Sequence, residues 1–147
     1  MASIEPTPKQ LQRLVQDIKE PGAVVMINLL RYRDHAEYPV RSDATPCSGR
    51  DAYQRYAAVA VSTVEQVGGR ILWMGSVKSA VIAPPDETWD DAVLVQYPSR
   101  QAFVEMVSRA DYQAAAVHRK AALADSRLLV TVETAIPNEP RRVVGFL

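Results

Sequence analysis

The spacing of apolar residues changes period several times along this chain, and each change marks an element. Leu11, Leu14, Val15 and Ile18 recur at helical spacing, so a short amphipathic helix is predicted from Thr7, stopped by Pro21-Gly22. Ala23 to Tyr32 reads as a strand with apolar residues on both faces, interrupted only by Asn28 before Arg31. Arg33 to Gly49 is polar and carries prolines, which suits either a functional loop or a segment laid over a partner. Ser48-Gly49-Arg50-Asp51 resembles a capping box, and the helix it opens buries Tyr53, Tyr56, Ala57, Ala60, Val64 and Val67 before Gly68-Gly69. Arg70 to Ala83 is predicted as a long strand with Gly75 as a bulge or bend, and Pro84-Pro85-Asp86 turns the chain. Trp89 to Tyr97 returns antiparallel to it. Ser99 then caps a helix that buries Phe103, Met106 and Val107, and Asp111 is placed to cap a second helical segment. Ser126 to Ala135 forms the last strand, followed by a proline-punctuated tail ending in VVGFL.

The resulting order, a helix followed by strand-helix-strand-strand-helix-strand, is the α+β ferredoxin-like βαββαβ arrangement with a four-stranded antiparallel sheet. Residues 1–22 form an N-terminal helical extension, 23–135 the domain and 136–147 a C-terminal tail. AVVMINLL, DAVLVQY and RLLVTV do not alternate cleanly, so both sheet faces need cover, and two helices can cover only one. The other face would exceed the roughly 300–600 Å² that is typical of the largest apolar patch on a monomer. A homodimer with its sheets packed face to face is the expected solution.

Composition removes several function classes. The 147 residues suit one domain, and 17 Lys+Arg balance 17 Asp+Glu, which favours neither a nucleic-acid nor a membrane-surface partner. No apolar run reaches the length of a bilayer span, and Cys47 has no second cysteine to pair with, so a cytoplasmic location is expected. Two histidines and one cysteine predict no dedicated metal site, and no nucleotide or phosphate loop motif occurs, so no cofactor is expected.

A few side chains could carry chemistry. His118 lies at the edge of an apolar helix face and either moves a proton near neutrality or simply bonds a carbonyl. Arg119 falls in the middle of that face and predicts a carboxylate or carbonyl cluster opposite it, because an unpaired buried charge costs several kcal/mol. Asn28, mid-strand, either orients a ligand carbonyl or satisfies a neighbouring group. Tyr53, Tyr56, Trp73, Trp89 and Tyr97 either line an aromatic cavity between helices and sheet or form plain core, with Trp73 and Tyr97 the first choices for a pocket. Arg31, Arg50 and Arg70 are either carboxylate ligands or surface residues, and His35 is read as solvated.

NLLRYRD, SGRDAYQRY, GGRILWMG, WDDAVLVQYPSRQAF and YQAAAVHRKAALADSRL resemble domain of unknown function 1330 (DUF1330), within the dimeric α/β-barrel superfamily. The resemblance runs from about Ala23 to Thr131 and implies a ferredoxin-like fold that dimerises into a barrel. No common reaction defines the family. The wider superfamily includes cofactor-free monooxygenases, isomerases, haem-degrading enzymes and stress-responsive proteins, so haem at an axial His118 is permitted by analogy alone.

Two functions follow as expectations, and the residues leave open whether the protein is an enzyme. The first is a dimeric α/β-barrel protein with a pocket for a small aromatic or carbonyl-bearing metabolite, its chemistry being cofactor-independent proton transfer or oxygenation. There His118 and Asn28 would be the catalytic pair, with Tyr56, Trp73, Tyr97, Arg119 and Arg31 around the ligand. The second is a non-catalytic ligand-binding or interaction protein whose interior is filled by its own side chains.

Overall fold

The computed structural model describes residues 2–139, and the VVGFL end of the expected tail lies outside them. Eight elements follow one another: α1 Pro8–Gln16, β1 Val24–Tyr32, α2 Gly49–Gln66, β2 Arg70–Ser76, β3 Asp91–Tyr97, α3 Arg100–Val107, α4 Ala110–Ala122 and β4 Leu123–Thr131. All pairings are antiparallel in the order β2-β3-β1-β4, which is the ferredoxin-like sheet.

Local chemistry explains most boundaries. Thr7 and Gln10 form a reciprocal capping box at α1, where Pro8 can start a helix because its missing N–H has no intrahelical acceptor. Ser48 accepts from the Asp51 N–H and Ser99 from the Ala102 N–H, each supplying one helix start. Asp111 does not cap α4. Arg109 holds that position without a side-chain cap, while Asp111, one residue inside the helix, pairs with Arg109 at 3.1 Å.

Strand limits differ from the sequence expectation, most of all in β2 and β4. β2 stops at Ser76 rather than Ala83, closed by a bond from the Val77 N–H to the Asp90 carbonyl, and Val81 and Ile82 stand fully in solvent in the loop beyond. β4 starts at Leu123 rather than Ser126, directly out of α4, and ends at Thr131 rather than Ala135. Its pairing with β1 shifts between Arg31 and Tyr32, leaving Ala124 as an extra residue. The register of β2 shifts at Leu72, not at Gly75. Gly75 serves another purpose, because a Cβ there would overlap the indole of Trp73, which folds over it.

One sheet face is covered. Val24, Met26 and Leu30 of β1 and Val93, Val95 and Tyr97 of β3 point toward the helices and pack with Ala52, Tyr53, Val64, Phe103, Met106 and Leu123. Leu14 of α1 joins the same cluster, and Arg100 at the start of α3 donates to the Glu20 carbonyl beyond the end of α1. On the opposite face the register aligns Val25, Ile27 and Leu29 with Ala92, Leu94, Trp73 and Leu129. Among the described residues no helix covers this face: Trp73 is 55% and Leu129 52% exposed.

Candidate functional site

The loop from Arg33 to Ser48 does not hang free. Glu37 donates its N–H to the Ala121 carbonyl and Ala36 to the Cys47 carbonyl, which lays the loop across the end of α4. This brings the Tyr38 hydroxyl to 2.6 Å from His118 Nδ1, with the rings edge to face at 5.5 Å. Arg55, on α2, donates to the same hydroxyl at 3.2 Å and to the Thr45 carbonyl at 2.9 Å. A guanidinium has only donors, so the phenol oxygen accepts from Arg55 and its single proton is free to go to His118. The arrangement can pass a proton between phenol and imidazole, and it also ties loop, α2 and α4 together.

A close approach of three backbone segments lies beside it. Arg33 donates its N–H to the Ala122 carbonyl, and Gly49 donates to the Arg33 carbonyl at 3.0 Å. A Cβ on Gly49 would strike the backbone of both Arg33 and Ala122, so only glycine fits at this start of α2.

Arg119, next to His118, turns the other way. Its guanidinium donates to the Ile4 carbonyl of the N-terminal segment, the carbonyl partner that its place on an apolar face required. It also lies near Tyr53 and Tyr56. Burial pushes Tyr53 up to about 12, with the Arg119 charge pulling against it, and burial likewise raises Tyr56 well above its usual range. These tyrosines form a ladder: Tyr32 to Tyr53 at 5.4 Å, Tyr53 to Tyr56 at 5.2 Å, and Tyr56 to Tyr112 at 5.9 Å with their hydroxyls 3.1 Å apart. At the far end Tyr32 donates to Asp91 at 2.6 Å, and burial first, then that bond, raises its phenol far above the ordinary value. Arg50 stacks over Tyr32 and pairs with Asp91 at 3.2 Å.

The remaining sequence candidates do not converge on one cavity. Asn28 faces the helices, and its amide donates to the Val93 carbonyl of the adjacent strand at 3.3 Å. Tyr97 is buried with its hydroxyl toward Met106 Sδ at 3.7 Å, and burial raises its phenol strongly. Trp73 lies on the open face, the sheet separating it from Tyr97, so the two cannot line a single pocket. Trp89 stacks on Arg127, which shares that open face, at 5.2 Å. Arg31 also has open-face register, opposite Asp125. His35 is exposed. Among the described residues, one shallow depression of about 370 Å³ lies beside the N-terminal segment and Lys120 and another of about 340 Å³ among Tyr32, Arg33, Ser48, Arg50 and Asp90. Neither is lined by His118, Asn28 or Tyr97. Among the described residues no cluster of three His, Cys, Asp or Glu is arranged to hold a metal, and no helix is long and apolar enough to cross a membrane.

Tyr38 and Arg55 are the residues that sequence reading missed. Tyr38 sits in a loop without periodicity and Arg55 on a helix surface, so neither carried a local signal.

Comparison with known proteins gives a family and a fold. The family described as Domain of unknown function (DUF1330) matches residues 46–134. The methylated RPA0582 protein superposes with a TM-score of 0.83 at 34% identity, over 94% of this chain and 98% of that one. RPA0582 from Rhodopseudomonas palustris, described as a protein of unknown function, gives 0.81 at 34% identity over 89% and 96%. A protein of unknown function from Thermobifida fusca, described as dimeric and ferredoxin-like, aligns at 16% identity with a TM-score of 0.43 over 76% and 92%. Among curated proteins, none matches.

Proposed function

We propose, for a chain that belongs to the DUF1330 family of domains of unknown function, a role as a homodimeric α/β-barrel protein of the cytoplasm that works by binding rather than by catalysis. The open sheet face carries this reading. Ile27, Leu29, Leu94, Leu129 and Trp73 form one continuous apolar surface on the side away from the helices. Burial is favourable by roughly 25 cal/mol per Å² of apolar area. A second copy offers the same surface in matching shape, and a two-fold axis lets each sheet cover the other.

The space between helices and sheet supports the binding role over chemistry. It is occupied by Tyr53, Tyr56, Tyr97, Phe103 and Met106 packed on one another, where a pocket for a small aromatic metabolite would need room. Sedimentation of Leu94→Asp tests the dimer. The natural chain should sediment as a dimer at micromolar concentration and the variant as a folded monomer with the same far-UV spectrum. A natural chain that is itself monomeric at that concentration would sink the reading.

A second reading is favoured by one contact, the 2.6 Å approach of Tyr38 and His118 under the Arg55 guanidinium. In this reading the pair transfers a proton to or from a small carbonyl-bearing or aromatic ligand at the loop, without a cofactor, and Asn28 stays structural. Thermal-shift screening against phenols, quinones and keto acids should then find a ligand whose effect disappears in His118→Ala. An equal shift in that variant would rule out the histidine's part.

A further inference from the structure

We infer that the start of β4 and the adjoining side of α4 form a recognition groove for an extended small–apolar–acidic peptide, with the chain's own Ser3-Ile4-Glu5 as its resident ligand. Three successive residues are read. The Ser3 N–H donates to Asp125 Oδ1 at 2.8 Å, and the Ser3 carbonyl accepts from the Ser126 hydroxyl at 2.5 Å. The Ile4 carbonyl accepts from Arg119, and the Ile4 side chain packs against the hydrophobic core. Glu5 lies 3.7 Å from Lys120.

The receiving groups come from α4 and β4, and two of them, Asp125 and Ser126, are buried. Asp125 is also held by the Ser126 N–H at 2.9 Å and by Arg127 at 2.8 Å. Burial alone would raise its carboxyl, but these bonds and the one from Ser3 outweigh it and hold the group below the usual carboxylate range. The charged receptor atoms are thus preset around the position of the peptide backbone. β4 is an outer strand, and its edge is met here through side chains rather than through a backbone ladder, so the bound segment can leave without unzipping the sheet. Segments held by a few side-chain hydrogen bonds rather than by a backbone ladder open at free energies well below global unfolding. The geometry recognises backbone groups plus one apolar and one acidic side chain, which an external segment of that composition supplies equally well.

The test uses the full-length chain and a fluorescein-labelled peptide, Ala-Ser-Ile-Glu-Pro-Thr, followed by anisotropy. Ser3→Pro removes the N–H that Asp125 accepts, which loosens the resident segment and leaves the groove intact. This variant should bind the peptide at least about ten-fold tighter than the natural chain, where the resident segment competes, a factor set by one hydrogen bond to a charged group. Adding Arg119→Met should weaken that binding by about ten-fold, and a peptide carrying aspartate in place of its isoleucine should not bind. Equal affinity for natural chain and variant, or no binding to Ser3→Pro at millimolar peptide, overturns the inference. A measurement on the natural chain keeps the question open to refutation even if the variant fails to fold. The Ser3 amide should exchange with solvent much faster than the core strands, and exchange only through global unfolding would show an integral segment and end the proposal.

Discussion

Across 80 positions of sequence, the Tyr38 hydroxyl meets His118 Nδ1 at 2.6 Å while Arg55 donates to the same oxygen from a third segment. This side-chain contact adds to the backbone bonds from Arg33 and Glu37 that fix the loop after β1 to the last helix. Tyr38→Phe keeps the ring contact and deletes the shared hydroxyl. It should cost about 0.5–1.5 kcal/mol in chemical denaturation and speed amide exchange at Ala36 and Glu37. A variant as stable as the natural chain, with unchanged exchange there, would show that the hydroxyl holds nothing.

Gly49→Ala is the severe substitution. The added Cβ has no path away from the Arg33 and Ala122 backbones, since both are hydrogen-bonded in place. A loss of more than about 2 kcal/mol is expected, or failure to fold, whereas an ordinary glycine-to-alanine change in a helix stabilises slightly. Thermal denaturation distinguishes the two.

Gly75→Ala acts on the opposite side of the sheet. It expels the Trp73 indole from its seat over the glycine. Because Trp73 belongs to the open face, the expected result is an altered tryptophan emission together with weaker self-association, read by fluorescence and by sedimentation at decreasing concentration. Unchanged emission would show that the indole does not rest there.

Stability should decline at both pH extremes for different reasons. Tyr53 is raised in the folded chain to about 12, so the folded state keeps its proton where the unfolded state, with a value near 10, has lost it. Its contribution is whole below pH ~10 and falls by about 1.4 kcal/mol per pH unit as pH rises to about 12. Tyr53→Phe should flatten that limb in denaturation curves collected at alkaline pH. Asp125 is displaced the other way, so its contribution is present above the ordinary carboxylate range and is lost as acid protonates it in the folded chain. Asp125→Asn should reduce the acid dependence and, because a neutral amide oxygen is the weaker acceptor, speed exchange of the Ser3 amide at neutral pH.

How much of this was legible in the sequence depends on the range of the interaction. The element order, the Thr7, Ser48 and Ser99 caps and the double-faced strands come from neighbours a few residues apart, and all are present in the structure. The carbonyl partner of Arg119 was expected from its place on an apolar face, although which carbonyl it meets was not. The early start of β4 escaped because Leu123-Ala124-Asp125 is compatible with a helix and no turn residue marks the change. Val77 to Ala83 has the composition of a strand, yet β3 offers partners only as far as Asp91 and Asp90 closes the pairing. Tyr38, Arg55 and Ser3 act on residues distant in sequence, and composition at those positions contains no trace of it.

Between Ala122 and Leu123 the chain passes from helix to strand with no residue to spare. A joint without slack transmits rotation, so the phase in which α4 ends decides the side on which every later side chain emerges. One inserted residue there would transpose the two sides of β4, sending Leu129 under the helices and Leu128 out, and would carry Asp125 away from Ser3. Extra length fits the loop after Ser76, where Val81 and Ile82 already stand in solvent, but at this joint the molecule is geared and a single tooth disengages both ends.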